Sequence, residues 1–114
     1  MSGLDATLAA LADPTRRGVV ELLHKAPRRA GELARTLHMS PPAMSRHLRV
    51  LRTTGLVLEE QLEKDARVRV CRLRPQPFGV LRRWLDEVDS FWKLELRAFK
   101  RHAERTRGKA KRHS

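Results

Sequence analysis

Apolar positions follow two different rhythms along the chain. Leu4, Leu8 and Leu11 stand four and three residues apart, which predicts a short first helix with one apolar stripe. Asp13 then precedes Pro14, a pair suited to start a helix: the carboxylate accepts an orphan amide and proline fits the first turn. Val19, Val20, Leu22 and Leu23 supply the buried side of this second helix. Lys25-Ala26-Pro27-Arg28-Arg29 reads as the connection that ends it, because Pro27 has no amide proton to continue the ladder. Leu33, Ala34 and Leu37 predict a third helix, roughly Ala30 to Leu37, and His38 and Met39 a turn. Ser40 and Pro41 cap and open a fourth helix that runs to about Thr54. Ala43, Met44, His47, Leu48 and Leu51 fall toward one side of it, and Pro42, Ser45, Arg46, Arg49 and Arg52 largely toward the other. Gly55 is placed to stop it in a left-handed conformation.

The rhythm then changes. Leu56 to Leu62 and Arg67 to Leu73 read as two strands of a hairpin, with Lys64, Asp65 and Ala66 at the tip. Arg67, Arg69 and Cys71 share one face of the return strand, and Val68, Val70 and Arg72 the other. Pro75 and Pro77 separate the ribbon from a last long helix, Phe78 to Glu104, about 40 Å if continuous. Its stripe is Leu81, Trp84, Leu85, Val88, Phe91, Trp92, Leu96 and Phe99. A domain this small has trouble burying both tryptophans and Phe91 against itself, so part of the stripe is expected in a subunit interface. Leu4, Leu8 and Leu11 complete that expected interface.

Composition narrows the partners. The 114 residues suit one domain, here residues 3–104, followed by a basic tail, 105–114, expected to be disordered. Lys and Arg number 25 against 13 Asp and Glu, a formal charge of +12, which points to nucleic acid or an anionic surface. A lone Cys71 excludes an internal disulfide scaffold and a multi-cysteine metal cluster. No run of about 20 apolar residues predicts a membrane span, and MSGLDATLAALADP lacks the basic start of a signal peptide. The expected location is the cytoplasm, on the nucleoid when bound to DNA.

Two short helices around a tight turn, the second with a polar and basic outer face, form a helix-turn-helix signature, and the hairpin after them reads as a wing. The run Ser40-Pro41-Pro42-Ala43-Met44-Ser45-Arg46-His47-Leu48-Arg49-Val50-Leu51, with Thr54-Gly55-Leu56-Val57 after it, resembles the ArsR-type family of winged helix-turn-helix transcriptional regulators. Asp13-Pro14-Thr15-Arg16-Arg17 and Glu32-Leu33-Ala34 are further family-like elements, and the resemblance covers roughly Leu4 to Phe99. The portion from Arg74 through Phe91-Trp92 looks like the subgroup lacking the usual metal-binding motifs. The family's wing-tip glycine would fall near Ala66 and its return-strand aromatic near Cys71; both are departures. The resemblance implies a mainly α fold of about five helices with a small β-hairpin, dimerising through the N- and C-terminal helices. It implies a homodimer on a pseudo-palindromic operator in double-stranded DNA, acting as a repressor by operator occupancy.

Ser40, Pro42, Ser45, Arg46 and Arg49 form the groove-facing set, since a major groove admits one helix. Arg46 or Arg49 can contact guanine at two points, Ser45 a base edge or phosphate, and Pro42 a thymine methyl. Candidate phosphate contacts are Thr15, Arg16, Arg17, His47, Lys64, Arg67 and Arg69. Local stabilisation competes for Thr15, Arg16 and Arg17, packing for His47, and ordinary surface charge for the ribbon cations. Glu59, Glu60 and Glu63 would repel DNA and are expected to turn from it. The interface set is Leu4, Leu8, Leu11, Leu81, Trp84, Leu85, Val88, Phe91, Trp92 and Leu96. Trp84, Phe91, Trp92 and Phe99 can alternatively line an effector pocket at the seam. Neither a metal nor a cofactor is expected: Glu32-Leu33-Ala34-Arg35-Thr36 has no thiol, and Asp86 and Asp89 have no histidine at ligand spacing before His102. No catalytic constellation is present, so an enzyme is not expected. Two other readings compete, a nonspecific nucleoid-type binder resting on charge and a protein-interaction adaptor resting on the aromatic helix. The operator, the regulated genes and any effector are not legible.

Overall fold

In the computed structural model, which describes residues 3–62 and 65–113, seven elements follow one another. They are α1 (Gly3–Leu11), α2 (Pro14–Lys25), α3 (Ala30–Thr36), α4 (Pro41–Thr53), β1 (Val57–Leu62), β2 (Asp65–Leu73) and α5 (Pro75–His113). The chain divides into two compact units, residues 1–81 and 82–114.

Local chemistry explains the helix boundaries of the first unit. The Asp13 carboxylate accepts the Arg16 amide at 3.0 Å and Pro14 opens α2. Ser40 does the same for α4, its hydroxyl accepting the Ala43 amide at 3.3 Å with Pro41 next. Gly55 ends α4 with φ +79°; its amide reaches the Arg52 carbonyl and that of Leu56 the Leu51 carbonyl. The end of α3 repeats this Schellman arrangement without a glycine. His38 takes φ +54°, its amide reaching Arg35 and that of Met39 reaching Ala34.

The core gathers one residue set from each element. Val19 and Leu23 of α2, Leu33 and Ala34 of α3, and Met44, Leu48 and Leu51 of α4 are buried with Leu56, Val57 and Cys71. Gly18 lets α3 close on α2: a methyl there would stand 3.1 Å from Leu37 Cδ2. Helix α1 buries Thr7 and Ala10 in this core, and of its leucines Leu11 packs against it. Leu4 and Leu11 are only half-buried and Leu8 is exposed.

The strands pair antiparallel with Val57 opposite Leu73, Glu59 opposite Cys71 and Gln61 opposite Arg69. The register shifts between Gln61 and Leu62, after which Leu62 meets Asp65. Strand β2 therefore begins at Asp65, and Asp65 and Ala66, expected at the tip, belong to it. Lys64 and Glu63 lie outside the described residues. Cys71, where the family's aromatic was missing, is buried in the core. The connection after α2 is more ordered than its proline suggests. Pro27 leads the chain into an extended path, and Arg28 exchanges both backbone hydrogen bonds with Cys71, at 3.1 and 2.7 Å.

Helix α5 is longer than expected at both ends. It starts at Pro75, so Pro75 and Pro77 occupy its first turn, where the missing amide protons would have had no helical partner. It continues to His113, past the expected limit of Glu104, through residues mostly favourable to helix. Phe78 packs on the core of the first unit. In the second unit most of the apolar stripe is bare: Leu85 is 51% exposed, Phe91 and Trp92 58%, Leu96 62% and Phe99 72%, while Val88 is half-buried. Phe91 and Trp92 meet edge-on with ring centroids 6.0 Å apart, and Lys93 pairs with Asp89 at 2.9 Å. None of the described helices is long and apolar enough to cross a membrane.

Candidate nucleic-acid interface

Helix α4 owes its two faces to its core side. Met44, Leu48 and Leu51 are drawn inward, which turns Pro42, Ser45, Arg46 and Arg49 outward, all exposed, beside the exposed cap Ser40. The expected groove-facing set is thus brought together on one surface. Arg52 and Thr53 are exposed as well, and Thr53 donates to the Arg49 carbonyl at 2.7 Å. No acidic residue occurs in α4. Among the described residues Arg46 and Arg49 take part in no ion pair, so their charges face solvent uncompensated.

The candidates on α2 have other partners. Arg16 donates from Nε to the Ala10 carbonyl at 2.6 Å and from Nη2 to that of Ala9 at 3.4 Å. Arg17 donates from Nη1 to the carbonyls of Leu11 and Ala12 at 2.8 and 3.2 Å. The two guanidiniums hydrogen-bond carbonyls at and just past the end of α1, as cations at a helix C-terminus do. Arg16 Nη1 also lies 3.5 Å from Nδ1 of half-buried His47, tying α2 to α4. Thr15 is half-buried in the first turn of α2. The amides there already meet an anion. The Asp13 carboxyl is held below its ordinary range, chiefly because the Arg16 amide bonds its charged form.

The hairpin balances acid against base. Glu59 of β1 accepts a hydrogen bond from Arg52 of α4 and lies 3.6 Å from Arg69 Nη1 of β2. Glu60 pairs with Arg72 at 2.9 Å. The acids of β1 are therefore matched to arginines, a pairing that strand alternation alone does not reveal. Arg67 is exposed. Burial pushes the Cys71 thiol up, Glu59 raises it further, and Arg52 opposes this.

No group of three or more His, Cys, Asp or Glu able to hold a metal ion occurs among the described residues. An apolar groove in the first unit runs between the end of α2, the base of the hairpin and the start of α5, lined by Val20, Leu23, Leu58, Leu73 and Phe78. None of the aromatics expected around an effector lines it.

Comparison with known proteins gives a consistent family. The family model described as "Bacterial regulatory protein, arsR family" matches residues 13–58, the stretch from the α2 cap into β1. The HTH-type transcriptional regulator Rv2034 of Mycobacterium tuberculosis is 41% identical over 95 residues, 83% of each chain. The transcriptional repressor SdpR of Bacillus subtilis is 33% identical over 52 residues, 46% of this chain and 58% of SdpR. The crystal structure of the ArsR family transcriptional regulator RHA00566 superposes with a TM-score of 0.69 at 32% identity, over 81% of this chain and 98% of that one.

Proposed function

The chain belongs to the arsR family of bacterial regulatory proteins, and on that premise we propose that it is a sequence-specific, DNA-binding transcriptional repressor. It is a regulator and not an enzyme. The observation that carries the reading is the outer face of α4, with Ser45, Arg46 and Arg49 exposed opposite a buried Met44, Leu48 and Leu51. A helix so presented fits the major groove, where arginine reads guanine through two hydrogen bonds. The remaining positive charge supplies attraction to phosphate that any sequence can offer.

The working unit is a homodimer paired through the bare apolar faces of α1 and α5. The expected interface residues Leu8, Trp84, Leu85, Phe91, Trp92 and Leu96 are exposed in a single chain, from 37% for Leu8 to 62% for Leu96. A surface of that character is covered in a stable assembly. Two-fold pairing gives two reading helices and so a pseudo-palindromic operator, with half-sites about one helical turn apart. Occupancy of that operator excludes polymerase, and the protein acts in the cytoplasm.

The test replaces Arg46 and Arg49 with alanine, singly, and measures binding to a selected operator and to random duplex at equal salt. Each loss is expected to weaken operator binding by about 10- to 100-fold, the equivalent of about 1–3 kcal/mol. Random duplex should lose much less. Equal losses on both DNAs would favour the nonspecific reading that the +12 charge alone supports.

A further inference from the structure

Glu59 stands between two arginines from different elements, one at the end of the reading helix and one on the wing. Arg52 lies three residues beyond Arg49 on α4, at a neighbouring position of the same helix surface. Arg69 is 60% exposed on β2. Left alone, both would be ready phosphate contacts. Instead they share one carboxylate, so the trio carries one net positive charge where two arginines alone would carry two. Exposed ion pairs contribute little to stability. The contacts are therefore weak as a staple, yet they decide which anion the guanidiniums face.

We infer that Glu59 is a restraining residue at the DNA-facing surface: it holds Arg52 and Arg69 back from neutralising phosphate, and so lowers the sequence-independent part of the affinity for DNA. This rests on the DNA-binding reading above. The physical basis is that phosphate contacts add affinity on every sequence alike, whereas base contacts add it on one. A carboxylate that holds back two phosphate contacts lowers random binding and operator binding together, and leaves the difference to Arg46 and Arg49.

The test is a double-mutant cycle with the full-length protein: Glu59→Gln, Arg52→Gln and the pair together, with Arg69→Gln as a parallel arm. Glutamine keeps the shape and a hydrogen-bonding oxygen while removing the charge. Binding to random duplex is measured across a salt series. Each arginine released should steepen the slope of log affinity against log salt by about 0.9 per chain, so Glu59→Gln should steepen it by up to about 1.8. Operator and random affinity should rise together, with their ratio nearly unchanged. Arg52→Gln should change the slope little beside Glu59 and by about 0.9 in the Glu59→Gln background. If Arg52→Gln has the same effect in both backgrounds, Glu59 merely repels DNA and the inference fails. An unchanged slope in Glu59→Gln likewise overturns it. Helical circular dichroism and melting of each variant ensure that only folded protein is compared. A wild-type chain with no preferred site would sink the repressor reading, while the slopes on random duplex would still decide whether Glu59 restrains the arginines.

Discussion

Arg16 and Arg46 carry the same charge and serve different ends, and only their surroundings tell them apart. Arg16 is bound to the carbonyls that α1 leaves open, whereas Arg46 stands on an exposed helix face with no acid on its helix. Charge composition could not make that distinction, because a guanidinium's partner is settled by the fold. The same holds for Glu59: the sequence shows an acid that should turn from DNA, and only tertiary contact shows the two arginines it holds. Asp13, by contrast, was legible, since a helix cap is set by residues within one turn. Its lowered pKa gives a pH dependence with a definite sign. A carboxyl whose folded pKa lies below its unfolded value lends stability above the unfolded value, near pH 4, and loses it as pH falls through the folded one. Asp13→Asn, which keeps the accepting oxygen but not the charge, should lower the melting temperature slightly at pH 7, and the two curves should converge as pH falls below about 4. Thermal melts of both proteins over that range check this, and parallel curves would contradict it.

Among the elements, the four N-terminal helices were readable because their apolar spacings and stop signals are local. The glycine stop at Gly55 is one such signal, and its φ of +79° bears out the left-handed reading. Open space surrounds its missing Cβ, so Gly55→Ala should cost only the backbone term, about 1 kcal/mol by urea unfolding. His38 adopts the same left-handed geometry with a side chain, so His38→Gly should be neutral or stabilising. A loss of stability in His38→Gly comparable to that of Gly55→Ala would show that more than backbone strain governs the α3 turn. Other element boundaries escaped the sequence for physical reasons. The bridge between Arg28 and Cys71 joins residues far apart in the chain, and no local pattern announces such a pairing. Pro75 and Pro77 looked like a break, yet proline is as compatible with a first helical turn as with a separator. The register shift at Gln61 carried β2 back to Asp65, where alternation alone indicated a start at Arg67.

At the scale of the whole molecule, each unit leaves apolar surface that one chain does not cover. The leucines of α1 form a half-open face because Thr7 and Ala10 are what α1 buries, and in the stripe of α5 Leu85, Phe91, Trp92, Leu96 and Phe99 are more than half exposed while Val88 is half-buried. Helical spacing made both stripes visible in the sequence, and the structure adds that the chain's own core takes up Leu11 but leaves Leu8 and most of the α5 stripe exposed. If a second copy covers them, Leu85→Glu and Trp92→Glu should each reduce the sedimenting mass toward that of one chain while helicity in the first unit persists. Operator affinity should fall with it, since one reading helix loses its tethered partner. An unchanged mass would return the aromatic face to the adaptor reading.

The central claim is that α4 selects a DNA sequence, and selection from a pool of random duplexes by the intact protein tests it most directly. At about 0.15 M salt, where bare phosphate attraction is screened, the account predicts one enriched, two-fold related motif with half-sites about 10 base pairs apart. Enrichment should disappear when Arg46 and Arg49 are both replaced by alanine. Recovery of no motif, or of the same motif by the doubly substituted protein, would contradict it.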